Sequence, residues 1–271
     1  MSISRTPLIL SCYECLFVAV SHLFIFMMEK TFIRIEETES TNDYLQNSKQ
    51  AGDGGVMTIV SADYQSAGRG QGTNRWESER GKNLLFSVLV HPHGLPVRRQ
   101  FFLSMVGALA IKDAVDSYVG GVTLKWPNDI YCGDRKLSGT LIETRVASGQ
   151  LKDCIFGVGI NVNQRVFASD APNPVSLFQL TGHEVDREEL LRRVIASFER
   201  FYEILADGDY GTISSRYRQC LYRREGFYPF RDVRGEFEAT IVNVEDDGHL
   251  VLRDKKGVAR RYAFKEVAYI I

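Results

Sequence analysis

Several things are scarce in this 271-residue chain, and each scarcity excludes something. Cysteine occurs five times, at positions 12, 15, 132, 154 and 220, too few and too scattered for a disulfide framework. Cys12-x-x-Cys15 is a lone pair in an apolar stretch, whereas a zinc site needs a second pair of ligands and a thioredoxin-type motif needs a βαβ setting. His91-Pro92-His93 adds two candidate ligands and reads as loop histidines, so no metal is assigned to protein side chains. Neither sign of charge is in excess: Lys+Arg is 33, Asp+Glu is 34 and the formal net charge is -1. Generic nucleic-acid binding needs a basic face, which this balance does not supply. The short basic clusters Arg98-Arg99, Arg192-Arg193 and Arg223-Arg224 read as solvated surface. Internal repeats and low-complexity tracts are absent.

What is present is ordinary globular material. Hydrophobic residues make up 44% and charged residues 25%, enough for a packed core. The length suits one sizeable domain plus a small one. Residues 8 to 28 (LILSCYECLFVAVSHLFIFMM) form the one long apolar run. It has the character of a signal sequence behind Arg5 or of a short membrane anchor. Glu14, His22 and the lack of a small-residue cleavage site argue against both. The favoured reading is a start at Met27 or Met28, which opens directly into an alternating strand. Residues 1–29 are therefore set apart as an apolar extension.

From residue 30 the pattern alternates strands and helices. Strands are expected at Thr31–Ile35, Val56–Ala62, Leu84–Val90, Val122–Trp126, Gly139–Arg145 and Ile155–Asn161. Ser40-Thr41-Asn42-Asp43 offers capping side chains to a helix through Tyr44 and Leu45. Apolar residues at helical spacing predict an amphipathic helix over Val97–Val119, and helices at Arg187–Leu205 and Tyr210–Leu221. After Tyr222 come short strands at Phe237–Val244, Leu250–Asp254 and Ala259–Phe264, joined by the turns Asp246-Asp247-Gly248 and Lys255-Lys256-Gly257. That texture predicts a small β-barrel over 222–271, behind an α+β domain with a mixed sheet over 30–221.

Three segments carry chemistry. Gly68-Arg69-Gly70-Gln71-Gly72-Thr73-Asn74-Arg75-Trp76 fails the dinucleotide fingerprint, because Thr73 stands where the last glycine belongs. Gly81-Lys82-Asn83 fails the P-loop. What remains is a loop with two cations and a closing aromatic, in which backbone N–H groups and forked arginine bonds can meet an anion. An ordinary surface turn is the competing account. Lys125-Trp126-Pro127-Asn128-Asp129, followed by Arg135-Lys136-Leu137-Ser138-Gly139, places one carboxylate and two lysines near the ends of adjacent strands. That arrangement suits a phosphoryl intermediate and an incoming nucleophile; alone, it also fits a hairpin with exposed ion pairs. Gly157-Val158-Gly159-Ile160-Asn161-Val162-Asn163 carries strand glycines of the kind that mark close approach of a ligand or another backbone. Asn161 supplies a donor and an acceptor for a purine edge; a simple bulge is the competing account.

The order of these segments, with Ser40-Thr41-Asn42 and Gln65 ahead of them, resembles the catalytic domain of biotin protein ligases. The resemblance runs from about residue 33 to the C-terminus, since the small β domain resembles that family's SH3-like barrel. It implies an α+β fold with a mixed sheet and packed helices, of the class II synthetase-like type. It also implies ATP-dependent activation of biotin to biotinyl-5′-AMP, with release of pyrophosphate. Biotin then passes to a lysine of a biotin carboxyl carrier protein, with release of AMP.

By match to the family's motifs, Ser40, Thr41, Asn42 and Gln65 are expected to hold the biotin head group. Arg69, Gly70 and Gln71 should close over its carboxyl and the phosphate, with Lys136 and Gly139 beside them. Trp76 and Asn161 are expected at adenine. Arg69, Lys125, Asp129 and Lys136 make up the expected catalytic set, with Asp129 helping to position or deprotonate the acceptor lysine. Mg²⁺ should accompany ATP, bridged by phosphates and waters. Gln71 and Asn74 stand where better-known bacterial members carry loop cations, so the grip on the adenylate is expected to be looser. About thirty residues precede the catalytic domain, too few for a helix-turn-helix. No DNA or membrane partner is therefore expected, and the cytoplasm is the expected location. Homodimerisation is left open. The nearest rival is a lipoate or octanoate ligase or transferase, and a non-catalytic sensor is the rival of another class.

Overall fold

A computed structural model describes residues 29–48, 56–168 and 173–271. The apolar run at 8–28 and the Cys12–Cys15 pair lie outside the described residues. The larger part is a seven-stranded sheet in the order β1-β2-β3-β7-β6-β5-β4. Its strands are β1 (Glu29–Thr38), β2 (Val56–Gln65), β3 (Leu84–Val90), β4 (Val122–Lys125), β5 (Asp129–Cys132), β6 (Arg135–Ala147) and β7 (Gln150–Ile160). Only β1 and β2 pair in parallel; every other neighbour is antiparallel. A parallel pair cannot be joined by a tight hairpin, and the crossover here carries helix α1 (Thr41–Asn47).

The period-2 alternation of strand side chains gives the sheet two different faces. One face presents Met57, Ile59, Phe86, Val88, Phe156 and Val158 to helices α2 (Phe101–Asp116) and α4 (Arg187–Ala206) in one continuous core. Phe156 meets Phe198 of α4 edge-on, with centroids 5.0 Å apart, the arrangement ring quadrupoles favour. On the opposite face α1 packs on the sheet through a small cluster of Leu45, Val60, Leu89 and Ile155.

Beyond the short helix α3 (Leu177–Thr181) and helix α5 (Tyr210–Gln219), the chain builds a second, antiparallel sheet in the order β11-β10-β9-β8-β12. Its strands are β8 (Tyr228–Asp232), β9 (Gly235–Val244), β10 (Leu250–Asp254), β11 (Ala259–Tyr262) and β12 (Ala268–Tyr269). The two sheets share one hydrophobic core, which runs from Trp126 and Tyr217 into Phe230, Ile241, Val244 and Leu250. At the seam Trp126 Nε1 donates to Gly248 O at 2.9 Å. A side chain at position 248 would strike the Phe101 ring at 2.6 Å, so the glycine permits the contact. Tyr217, fully buried, donates its hydroxyl to Pro127 O at 2.6 Å. A Tyr217→Phe variant removes the bond from that half-buried carbonyl, which costs about 0.5–1.5 kcal/mol. Its thermal unfolding midpoint should fall by about 2–4 °C per kcal/mol. An unchanged midpoint in calorimetry would show that the bond contributes nothing.

The structure departs from sequence expectation in identifiable places. Asp129–Cys132 is a strand, although Pro127-Asn128-Asp129 reads as a turn. The turn occupies 126–128 and the strand is only four residues long. Tyr228–Asp232 and Leu177–Thr181 also went unforeseen. The helix expected over Val97–Val119 is a 3-10 turn at Val97–Arg99 followed by α2, and it is not amphipathic. Buried residues occur around its whole circumference, because it is sandwiched between the sheet and the other helices. His91 and His93 do lie in a loop, as read, and the half-buried His91 turns Nδ1 to within 2.8 Å of Asp153 Oδ1. Cys132, Cys154 and Cys220 are free thiols.

Candidate functional site

The face that carries α1 holds two clusters. The first begins where β1 ends. Ser40 caps α1 by accepting from Asp43 N at 3.4 Å, which turns the next two side chains down onto the sheet. Thr41 donates through both its backbone N (2.7 Å) and its hydroxyl (2.9 Å) to Gln65 Oε1 at the end of β2. Gln65 keeps its amide protons without a partner among the described residues. Ser87 Oγ lies 2.6 Å from both Thr41 Oγ1 and Asn42 Oδ1. Asn42 Nδ2 donates to Glu143 Oε2 at 2.6 Å. Thr41, Asn42 and Ser87 are all buried, and a buried polar network of this kind holds its members in one geometry.

Gly157 is the floor of this cluster. A methyl group there would lie 2.2 Å from Asn42 Oδ1, an impossible contact, so the strand glycine exists for close approach. Ser87 and Glu143 belong to the site although sequence reasoning did not single them out. Both left a signal: Ser87 is the one polar residue in Leu-Leu-Phe-Ser-Val-Leu-Val, and Glu143 shares a strand face with Gly139 four residues earlier.

The Gly-rich segment hangs over the cluster as a narrow loop. Gly70 N donates to Asn74 O at 2.7 Å and Trp76 N to Gly68 O at 3.0 Å, with Gly72 at the tip at φ +70. Arg69 is fastened between Asp43 Oδ1 (2.5 Å) and Glu143 Oε2 (3.1 Å), so the loop's first cation is tied to the first cluster. Gln71 is exposed.

The second cluster lies two residues farther along β7, about 7 Å at strand rise. Gly139 and Gly159 are cross-strand partners, and the Trp76 ring lies against both. A methyl group at Gly159 would meet Trp76 Cε2 at 2.3 Å, and one at Gly139 would meet Trp76 Cζ3 and Lys136 Nζ at 3.2 Å each. The indole N–H is buried without a partner, an orphaned donor that a ligand could satisfy. Lys136 Nζ pairs with Asp129 Oδ1 at 2.8 Å. Lys125 stands directly across from Asp129 in the β4–β5 ladder. Burial pushes the Lys125 ammonium below the usual lysine range, against the pull of the nearby Asp129 carboxylate. Asn161 is buried, and its amide donates to Val175 O at 3.2 Å and Lys136 O at 3.5 Å, bracing the segment after residue 173. Its Oδ1 has no partner among the described residues.

Ser40, Thr41, Asn42, Gln65 and Arg69 thus gather at one end of the face, and Trp76, Lys125, Asp129, Lys136 and Gly139 at the other. Among the described residues, Glu245, Asp247 and His249 are spaced as metal ligands are, but Arg261 already pairs with both carboxylates. This trio lies in the small sheet.

Residues 34–161 match the model of the biotin/lipoate A/B protein ligase family. The bifunctional ligase/repressor BirA of Bacillus spizizenii is 28% identical over 235 residues, covering 84% of this chain and 70% of that protein. The biotin–[acetyl-CoA-carboxylase] ligase of Mycobacterium tuberculosis is 33% identical over 171 residues, covering 61% of each. Among solved structures, the biotin protein ligase of Aquifex aeolicus in complex with biotin and ATP superimposes with a TM-score of 0.73. That match has 24% identity and covers 88% of this chain and 97% of that one. The α+β fold with its C-terminal antiparallel sheet is that of these ligases, and across residues 34–161 the sequence is that of the biotin/lipoate A/B protein ligase family.

Proposed function

We propose that this chain condenses biotin with ATP to biotinyl-5′-AMP and pyrophosphate, then transfers biotin to a lysine of a biotin carboxyl carrier protein, releasing AMP. The observation that carries this reading is the pairing of two clusters on one face. A dense donor–acceptor network lies about one strand-turn from a lysine and an indole set over glycines. The network around Thr41, Asn42, Gln65 and Ser87 suits a ureido ring, which needs fixed donors and acceptors. Arg69 and Gly70 would then lie above the valeryl carboxylate. Arg69 has N–H groups to spare beyond Asp43 and Glu143 for an anion. Gln71 can add a neutral hydrogen bond.

In the first step a biotin carboxylate oxygen attacks the α-phosphorus and the bond to the pyrophosphate oxygen breaks. Lys136, beside Gly139, stabilises the charge on the reacting oxygens. The Trp76 ring covers adenine, and Asn161 Oδ1 accepts from its amino group. The loop over both clusters excludes water from the mixed anhydride. In the second step the acceptor amine attacks the acyl carbon and AMP departs. Asp129 positions the incoming ammonium and takes its proton. Asp43, Asp129 and Glu143, the carboxylates of the two clusters, are already engaged by cations or amides. Mg²⁺ would accordingly be held through the ATP phosphates and waters, where it neutralises phosphate charge.

Exchange of labelled pyrophosphate into ATP tests the first step, with biotin, lipoate or octanoate as the acid. Biotin-dependent exchange is expected. Exchange with lipoate or octanoate alone would move the protein to the sister activities, and binding without exchange would make it a sensor.

A further inference from the structure

Lys125 is unusual among the lysines of the site. Among the described residues no carboxylate comes within ion-pair distance of its ammonium. Its partners are two aromatic faces: Nζ lies 5.3 Å from the Tyr131 ring centroid and 4.9 Å from that of Tyr269. Tyr131 belongs to β5, but Tyr269 belongs to β12 of the small sheet. A third ring, Tyr222, packs 5.3 Å from Tyr131 and 6.0 Å from Tyr269 and completes the wall. The wall is itself fixed. Arg223, at φ +56, donates to Ile270 O at 2.7 Å, next to Tyr269, and its guanidinium stacks 5.0 Å from Tyr222. The Tyr269 hydroxyl is buried without a partner, so its ring, not its polar tip, makes the contact that matters.

The register gives this cage a purpose. Lys125 and Asp129 are directly opposed on β4 and β5, and Asp129 is at present neutralised by Lys136. When Lys136 turns to a carboxylate or phosphate, Asp129 would be left as a partly buried, unpaired carboxylate, a costly state. We infer that Tyr269 and Tyr131 hold Lys125 as a charged ammonium across from Asp129, so that Lys125 takes over that carboxylate when Lys136 engages the ligand. Strand β12 thereby becomes part of the activation centre, and Tyr269 is a positioning residue for the reaction. The inference rests on the biotin-activating reading for its consequence, and on the cage alone for its geometry.

Two measurements on the full-length protein test it. The first is the kcat of biotin-dependent pyrophosphate exchange for Tyr269→Leu, Tyr269→Phe, Lys125→Met and the Lys125→Met/Tyr269→Leu double variant. Tyr269→Leu should lower kcat about tenfold, the size a desolvated cation–ring contact carries, with the KM values for biotin and ATP little changed. Tyr269→Phe, which keeps the ring, should restore the rate. The double variant should be no slower than Lys125→Met. The second needs no substrate: reductive methylation read by mass spectrometry at Lys125, which Tyr269→Leu should accelerate several-fold and Tyr269→Phe should not. Additive losses in the double variant, or Lys125 methylation indifferent to Tyr269, would overturn the inference. Absence of biotin-dependent exchange in the unaltered protein, with Lys125 still shielded by Tyr269, would overturn the proposed reaction while leaving the cage in place.

Discussion

Lys136→Ala is expected to lower the kcat of biotin-dependent pyrophosphate exchange by about 10²–10³-fold, the loss typical of removing one preorganised group from a developing oxyanion. The Lys136 ammonium lies over Gly139, the same glycine the Trp76 ring approaches, with a carboxylate 2.8 Å away to orient it. Its backbone is fixed independently of its side chain: Lys136 N donates to Asn173 O and its carbonyl accepts from Val175 N. Truncation should therefore remove the charge without moving the strand, and the thermal midpoint should change little. On the cage inference, Lys125 would turn to Asp129 across the ladder, so the variant would not leave that part-buried carboxylate unpaired. A loss below about fivefold would remove Lys136 from the reacting centre, and the phosphoryl charge would need another stabiliser.

The second large effect concerns a glycine. In Gly157→Ala the new methyl group would stand 2.2 Å from Asn42 Oδ1, 2.7 Å from its Cγ and 2.9 Å from Nδ2. The backbone can accept alanine, but Asn42 must leave, and with it the link that joins Ser87 to Glu143. Each buried polar group left unpaired costs about 1–3 kcal/mol. Biotin affinity should thus fall by about 10–200-fold, while ATP binding at the other end of the face changes little. Gly159→Ala is the matched control, because its methyl group would displace Trp76 instead and should weaken ATP rather than biotin. Calorimetric titration of each variant with each ligand separates the two. If both substitutions weakened the same ligand, the division of the face into a biotin end and a nucleotide end would be wrong.

How much of this was legible in the sequence depended on the kind of information needed. Leu84–Val90 and Leu250–Asp254 were read with their true ends because short apolar runs bounded by turn residues leave little choice. The strand-interior glycines of Gly157-Val158-Gly159 announced a close approach, though not that Asn42 and Trp76 are what approaches. Asp129 and both lysines do lie near the ends of adjacent strands, but the sequence could not show that Lys136 takes Asp129 while Lys125 takes the tyrosines. That choice depends on a register shift between Ile130 and Tyr131 and on a strand from the other sheet. Tyr269 and Glu143 stayed hidden for the same reason: their roles come from partners 144 and 101 positions away.

The unbroken core beneath the seam has one more consequence. Phe230, Ile241, Val244 and Leu250 pack into the same apolar mass as Trp126, Tyr217 and the helices. The fifty C-terminal residues are therefore not an appendage that can loosen while the rest stays native. A single thermal transition is the expected outcome, with the two sheets melting together. Any lineage that traded away the small sheet would have had to rebuild the floor under Trp126 at the same moment.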